Sequence, residues 1–433
     1  MSETNQNTEN KIIPKYFGMF LFIIGANLIG LTVFNRNIEV IRFLRQPSLA
    51  ISFLWLLYSF PVNPKRFPFK GLALFFILFL VFLLFNIVTS IDSVNSAQYS
   101  LWLIASYLVI HQFLFVRNQL TFKQMFYQFS MAVWIIGVVS IVVSLVGAYV
   151  LGLDSFFDDR YNYSLMSVAT EFSGVFGSNN SLGFITFITL VFSLFLFQIN
   201  KGTSYSYFFF FFAILLNPLL IFIGNRAGMA CSAMFWVLFL TYINRSWFGF
   251  LILVCFIFFS TVYFSDTLLQ KFRLEQFEGG NIFGNRTELI KEALMVADVM
   301  DFFGVGYHNQ RLARKAFGVV SDGDKEFNFH NTYLAVYTEF GPLGLIWIPG
   351  IILLVLFWPT ARDVLPENVK FLRMLRVFAG IMMVLYLPVE DSVNSPGSPS
   401  FLFFWISLAL LLIGSYPDYP AHRFYEKKSS LSD

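Results

Sequence analysis

Two arginines and one histidine carry the chemistry that this sequence offers. Arg226 stands in "LLIFIGNRAGMACSAMF" and Arg286 in "GNRTELIKEALMVADVM", each closing a Gly-Asn-Arg tripeptide (Gly224-Asn225-Arg226 and Gly284-Asn285-Arg286). In both, the asparagine can cap a helix, which puts the arginine in its first turn. Helix N-termini present unpaired N–H groups and the positive end of the dipole. A guanidinium there completes a site for phosphate or pyrophosphate. Without an anion the same arginine opposes the dipole, so the arrangement costs stability until a ligand arrives. His330 begins "HNTYLAVYTEFGPLG", where a polar segment becomes a long apolar run. A neutral imidazole at that boundary can orient or accept a proton. The plainer readings are headgroup snorkelling for Arg226, an ordinary surface charge for Arg286, and a capping or interfacial role for His330, with Asn331 the alternative cap. His308, in "GVGYHNQRLA", is the nearest rival histidine.

The elements that must position these residues are membrane-spanning helices. Hydrophobic residues make up 57% of the 433 and charged residues only 13%, against about 25% charged in a soluble domain. Such a chain cannot cover itself with polar surface, so its solvent is largely lipid. Apolar runs long enough to span number about twelve. They fall near 16–34, 47–60, 70–89, 99–116, 126–150, 174–199, 205–223, 227–243, 246–264, 331–358, 371–389 and 398–414. The run at 331–358 holds Gly341, Pro342, Gly344, Pro349 and Gly350, which predict a kink or break. Continuous apolar runs exclude a β-barrel, which needs alternation. The expected fold is therefore all-α and integral to the membrane.

Lys and Arg in the short loops set the orientation. Lys65, Arg66, Lys123, Lys201, Arg245 and Arg362 are among the many on one side; Arg36, Arg42, Arg45, Arg160 and Arg226 are the few on the other. The expected layout is a cytoplasmic tail at 1–15, nine spans over 16–264, a large extracytoplasmic loop at 265–330, three spans over 331–414 and a cytoplasmic tail at 415–433. His111 and His422 then fall on the inner side, away from the arginines. In the loop, "GNRTELIKEALMVADVM" reads as a helix with Asn285 and Glu288 as a capping box and with Leu289, Ala293, Val296 and Met300 on one face. Cys231 and Cys255 fall in apolar spans and imply no disulfide framework. Net charge is only +3, which gives nucleic-acid binding no support. Asp322-Gly323-Asp324 and the cluster Asp154, Asp158 and Asp159 are the acidic groups with metal-like spacing. Asp-Gly-Asp is equally a turn composition, so no metal and no cofactor is expected.

"HNTYLAVYTEFGPLG" is His-Asn, nine residues, then Gly-x-x-Gly. It resembles the signature of the O-antigen ligase and polymerase superfamily, bacterial membrane glycosyltransferases of the GT-C type. The Arg-led helix followed by Gly304-Val305-Gly306 is similar to that family, as is the short Arg226 loop. "SGVFGSNNSLGF" at 173–184, which contains Asn180, resembles its Gly/Asn-rich segment, although Glu171 stands where the family often has a basic residue. The resemblance implies a GT-C-like fold and an active site on the outer face of the bacterial cytoplasmic membrane. It implies a donor glycan on undecaprenyl pyrophosphate and an acceptor hydroxyl on lipid A core sugar or another glycan. Arg226 and Arg286 would hold the pyrophosphate, and His330 would orient or deprotonate the acceptor. Asn331, His308 and Asn180 would bind substrate. Membrane lipids and a chain-length regulator are the further partners. A polymerase of the same superfamily is the near alternative. A lipid-linked glycan flippase is the alternative of another class; it would show internal repeats with broken helices at mid-membrane, and no convincing repeat relates the two halves.

Overall fold

The computed structural model describes residues 70–101, 103–104, 121–151, 172, 174–176, 179–246, 286–319, 329, 331–389 and 399–415. The expected spans near 16–34, 47–60 and 246–264, most of that near 99–116, both tails, Arg36, Arg42, Arg45, Cys255, His111, His422, His330, Asp322 and Asp324 lie outside them. The described residues form helices and no β-strand. The helices are α1 (Lys70–Val88), α2 (Phe122–Leu151), α3 (Asn179–Ile199), α4 (Ser204–Ile223), α5 (Arg226–Leu238), α6 (Arg286–Val299), α7 (Gln310–Ala316), α8 (Thr332–Leu356), α9 (Pro366–Ile381) and α10 (Pro399–Gly414). One π-turn, Phe239–Ile243, continues α5, and another, Met382–Tyr386, continues α9.

Five stretches among the described residues are long and apolar enough to cross a membrane: Phe122–Gly147, Asn180–Ile199, Ser204–Ile223, Arg226–Ile243 and Thr332–Leu356. They match the expected spans near 126–150, 174–199, 205–223, 227–243 and 331–358. The apolar helices at Ile77–Val88 and Ser400–Gly414 are shorter. The span expected near 371–389 is not among the five. Its helix starts earlier, at Pro366, because proline suits the first helical turn and its missing N–H costs nothing there. Charged Lys370, Arg373 and Arg376 sit on that helix; Arg376 Nη2 donates to the Trp358 carbonyl, and Lys370 Nζ donates to Asn244 Oδ1 at 3.1 Å.

Local chemistry fixes where these helices start. Thr121 and Gln124 form a reciprocal capping box at α2: the Thr121 N–H donates to Gln124 Oε1 at 2.9 Å and the Gln124 N–H to Thr121 Oγ1 at 3.3 Å. Helix α3 forms the centre of the bundle and packs against α2, α4 and α5. Its apolar window is 89% buried, against 33% for α4, whose Tyr207 is 74% exposed. Helix α3 is apolar all round, as a core helix should be. Its hydroxyls are satisfied internally: Thr186, Thr189 and Ser193 each donate to the carbonyl four residues back, at 2.6 to 2.8 Å. Small residues let neighbours approach it, for a Cβ on Gly137 of α2 would lie 1.9 Å from Thr189 Oγ1. Phenylalanines fill the seams, with Phe129 edge-on to Phe192 at 5.3 Å and Phe126 against Phe195 at 5.1 Å.

The break expected in α8 falls at Gly341, whose φ of 70° and ψ of −169° are non-helical. Its cause is legible in the hydrogen bonds. In a continuous helix the Thr338 carbonyl would accept from residue 342, but Pro342 has no N–H. The Val305 N–H takes that role at 2.9 Å, and the Gly306 N–H donates to the Glu339 carbonyl at 3.1 Å. The turn at 303–307 is thus inserted against the opened helix. Asn86 of α1 locks it, donating from Nδ2 to the Phe303 and Glu339 carbonyls, both at 2.8 Å, and accepting from the Tyr307 N–H at 3.0 Å. Only glycine fits at the crossing. A Cβ on Gly304 would lie 2.5 Å from the Glu339 oxygen, and one on Gly341 would lie 2.0 Å from the Phe302 oxygen.

Candidate functional site

Gly224-Asn225-Arg226 is a helix–helix corner. Gly224 closes α4 in the left-handed region, φ 76°, and its N–H donates to the Leu220 and Ile221 carbonyls. Asn225 caps α5 as expected, with its Oδ1 accepting from the Gly228 N–H. Its Nδ2 donates to Asn180 Oδ1 at 3.0 Å, which ties the corner to the first turn of α3. Gly183 makes room for this contact, because a Cβ there would lie 2.2 Å from that of Asn225. Arg226 follows as the first residue of α5 and is exposed. The backbone at Gly224 and the Asn225 carboxamide therefore hold the corner. Replacing Asn225 with alanine should cost about 1 kcal/mol of stability. Asn225→Asp, which keeps the capping oxygen, should cost less. Thermal unfolding of the detergent-solubilised variants checks both.

Arg286 is the first residue of α6, again as expected; its side chain, Asn285 and the side chain of Glu288 lie outside the described residues. The face foreseen for this helix is the one that packs. Leu289, Ala293 and Val296 are buried, and Met300 packs beside them against Val305, Ala313 and Phe329. Helix α6 contacts α8 and the short α7. Helix α7 was not foreseen. Its signals were available in "NQRLARKAFG": Asn309 at the N-cap position, Arg314 and Lys315 in the last turn, and Gly318 just beyond.

His330 lies outside the described residues, but both its neighbours are fixed. Phe329 is 1% exposed. Asn331 caps α8, its side chain accepting from the Leu334 N–H at 3.1 Å. The Thr332 N–H donates to the Leu387 carbonyl at 2.9 Å, and the Tyr333 hydroxyl donates to the Met383 carbonyl at 2.8 Å. The adjoining Tyr386 ring packs 4.7 Å from Phe184 of α3. The π-turn 382–386 also contacts α5. Through these contacts the N-termini of α3, α5 and α8, carrying Asn180, Arg226 and Asn331, gather at one end of the bundle. Their three macrodipoles add a positive potential there.

His308 sits apart from that group, on the turn that crosses the α8 break. Its φ is 62°, and its ring stacks on Tyr99 at 3.7 Å between centroids. Asn95 Nδ2 donates to its carbonyl at 3.4 Å and to Asn309 Oδ1 at 2.7 Å. Among the described residues no group of three His, Cys, Asp or Glu side chains gathers as a metal site.

Comparison with known proteins bears on these corners. No curated protein and no solved structure matches the chain. Residues 210–348, from within α4 to within α8, match the family model of the O-antigen ligase. The matched segment contains the Arg226 corner, Arg286 at the start of α6, the glycine turn, His330 and the break at Gly341; Asn180 lies before it. The likeness to the O-antigen ligase family is carried by residues 210–348 of the 433.

Proposed function

We propose that this chain transfers a glycan from undecaprenyl pyrophosphate to an acceptor hydroxyl, in the manner of an O-antigen ligase, on the outer face of the bacterial cytoplasmic membrane. The observation that carries the reading is that two arginines of the matched segment are each the first residue of a helix, α5 and α6. Both backbone and side chain at such positions favour a pyrophosphate. In the reaction the acceptor oxygen attacks the anomeric carbon, the bond from that carbon to the pyrophosphate oxygen breaks, and the configuration inverts. The acceptor proton passes to His330. The electrons of the broken bond leave on the pyrophosphate, where Arg226 and Arg286 neutralise them. The phosphate oxygens delocalise that charge and the two guanidiniums offset it, so this reading needs no metal. Asn180 and the Nδ2 of Asn331 lie at the same end of the bundle and suit sugar hydroxyls. His308 and Tyr99 offer a stacked ring surface apart from these, on the turn that crosses the α8 break. Both chain termini are cytoplasmic in this reading, with the segment 265–330 outside.

The test uses purified protein, synthetic undecaprenyl-pyrophosphate glycan and candidate acceptors, with EDTA present. Acceptor-dependent release of undecaprenyl pyrophosphate is expected, with collapse in Arg226→Ala, Arg286→Ala and His330→Ala. A lipid A core acceptor identifies a ligase, and a second lipid-linked glycan identifies a polymerase. Movement of the intact lipid-linked glycan across proteoliposomes, without release, would sink the reading in favour of a flippase.

A further inference from the structure

Gln310 and Glu339 have no part in the chemistry above, yet both are buried, at 4% and 1% exposure. Glu339 stands two residues before the break in α8 and accepts on Oε1 from Gln310 Nε2 at 2.9 Å. The other end of the same amide, Gln310 Oε1, accepts from the Phe329 N–H at 3.2 Å. These two contacts decide which way the amide points. Turned over, it would set N–H against N–H and oxygen against carboxylate.

Phe329 is held on its other faces as well. Its ring packs with Ala293, Val296, Val305 and Ala313, and the Arg314 guanidinium lies 5.8 Å from its centroid. Arg314 is itself paired with Glu292. Past His330, Asn331 and Thr332 are fixed to α8 and to Leu387. Packing alone would be served as well by an apolar pair, since burying a carboxylate is costly even when it is hydrogen-bonded. What a polar pair adds is direction: one backbone N–H, at one position, pointed one way.

We propose that the Gln310–Glu339 pair is a positioning device that sets the backbone at Phe329, and with it the proton-accepting end of the site, without touching either substrate. Its catalytic half rests on the reading under Proposed function; the placement of the Phe329 backbone does not. Gln310→Glu sets two carboxylates against each other. The double variant Gln310→Glu with Glu339→Gln restores one amide and one carboxylate with the ends exchanged. The introduced carboxylate can still accept from the Phe329 N–H, and the introduced amide donates to it.

The experiment reads two quantities on the full chain in nanodiscs. One is hydrogen–deuterium exchange over 329–334. The other is kcat and donor KM for acceptor-dependent release of undecaprenyl pyrophosphate. Gln310→Glu is expected to speed exchange and to lower kcat by about 10- to 100-fold, with donor KM little changed. The double variant is expected to recover both. Unchanged exchange in Gln310→Glu overturns the placement. Faster exchange with unchanged kcat overturns the catalytic half, and so does a double variant as impaired as the single one. Exchange that follows the swap across the variants, with no release by wild-type protein with any acceptor, overturns the functional reading and supports the placement. If Gln310→Glu does not accumulate in the membrane, Glu339→Leu and Glu339→Gln decide the matter. Losing the acceptor must lower kcat, and losing only the charge must not; any other pattern overturns the proposal.

Discussion

Arg226→Ala will abolish most donor turnover and leave the protein folded. The fold does not need the guanidinium, because the corner is closed by Gly224 in its left-handed conformation, by the Asn225 cap and by the contact from Asn225 to Asn180. The proposed reaction does need it. Removing one preorganised donor to a leaving group costs about 10²–10³ in kcat. Arg226→Lys should fall between, because a lysine keeps the charge but not the two-pronged geometry. The measurement is single-turnover release of undecaprenyl pyrophosphate beside thermal unfolding in the same detergent. Turnover within a few-fold of wild type in Arg226→Ala would remove the corner from the site, however clear its geometry.

Gly341→Ala should do the opposite and prevent the fold. The φ and ψ at Gly341 lie in a region open essentially to glycine alone, and the added methyl would also meet the Phe302 carbonyl. Strain of this kind costs about 1–3 kcal/mol before the clash is counted. The three-way junction of α1, α8 and the 303–307 turn hangs on this residue, so little folded protein should accumulate in the membrane. Gly350→Ala is the control on the same helix. A Cβ there meets nothing within 4 Å, so stability should hold or rise by up to about 1 kcal/mol. Equal accumulation of the two variants would mean that the crossing tolerates a side chain.

What could be read in the sequence was local. The Asn225 cap follows from an asparagine ahead of an apolar run, the break in α8 from Gly341-Pro342, and the packed face of α6 from the spacing of Leu289, Ala293 and Val296. Five of the expected spans follow from hydropathy alone. Contacts that join distant parts of the chain were not legible. Nothing in "NNSLGF" says that Asn180 will receive Asn225, and nothing in the apolar surroundings of Asn86, "LLFNIV", says that it will lock a turn more than two hundred residues away. The polarity of Asn86 and Glu339 within apolar stretches was a visible signal, since such groups need partners, but it does not name the partner. The apolar run near 371–389 does not show that its helix begins earlier, where Pro366 allows.

The burial of α3 has a consequence for how the protein meets its membrane. A bilayer acts on the helices that touch it: when it thickens or thins, they tilt, and each ångström of hydrophobic mismatch costs a fraction of a kcal/mol. Helix α4, mostly exposed, bears that load. Helix α3 is faced by protein almost all round and bears little of it. The Arg226 corner is tied to α3 through Asn180 and Gly183, so its geometry is referred to a helix that the lipid hardly reaches. The corner should therefore keep its shape as acyl-chain length changes with growth temperature.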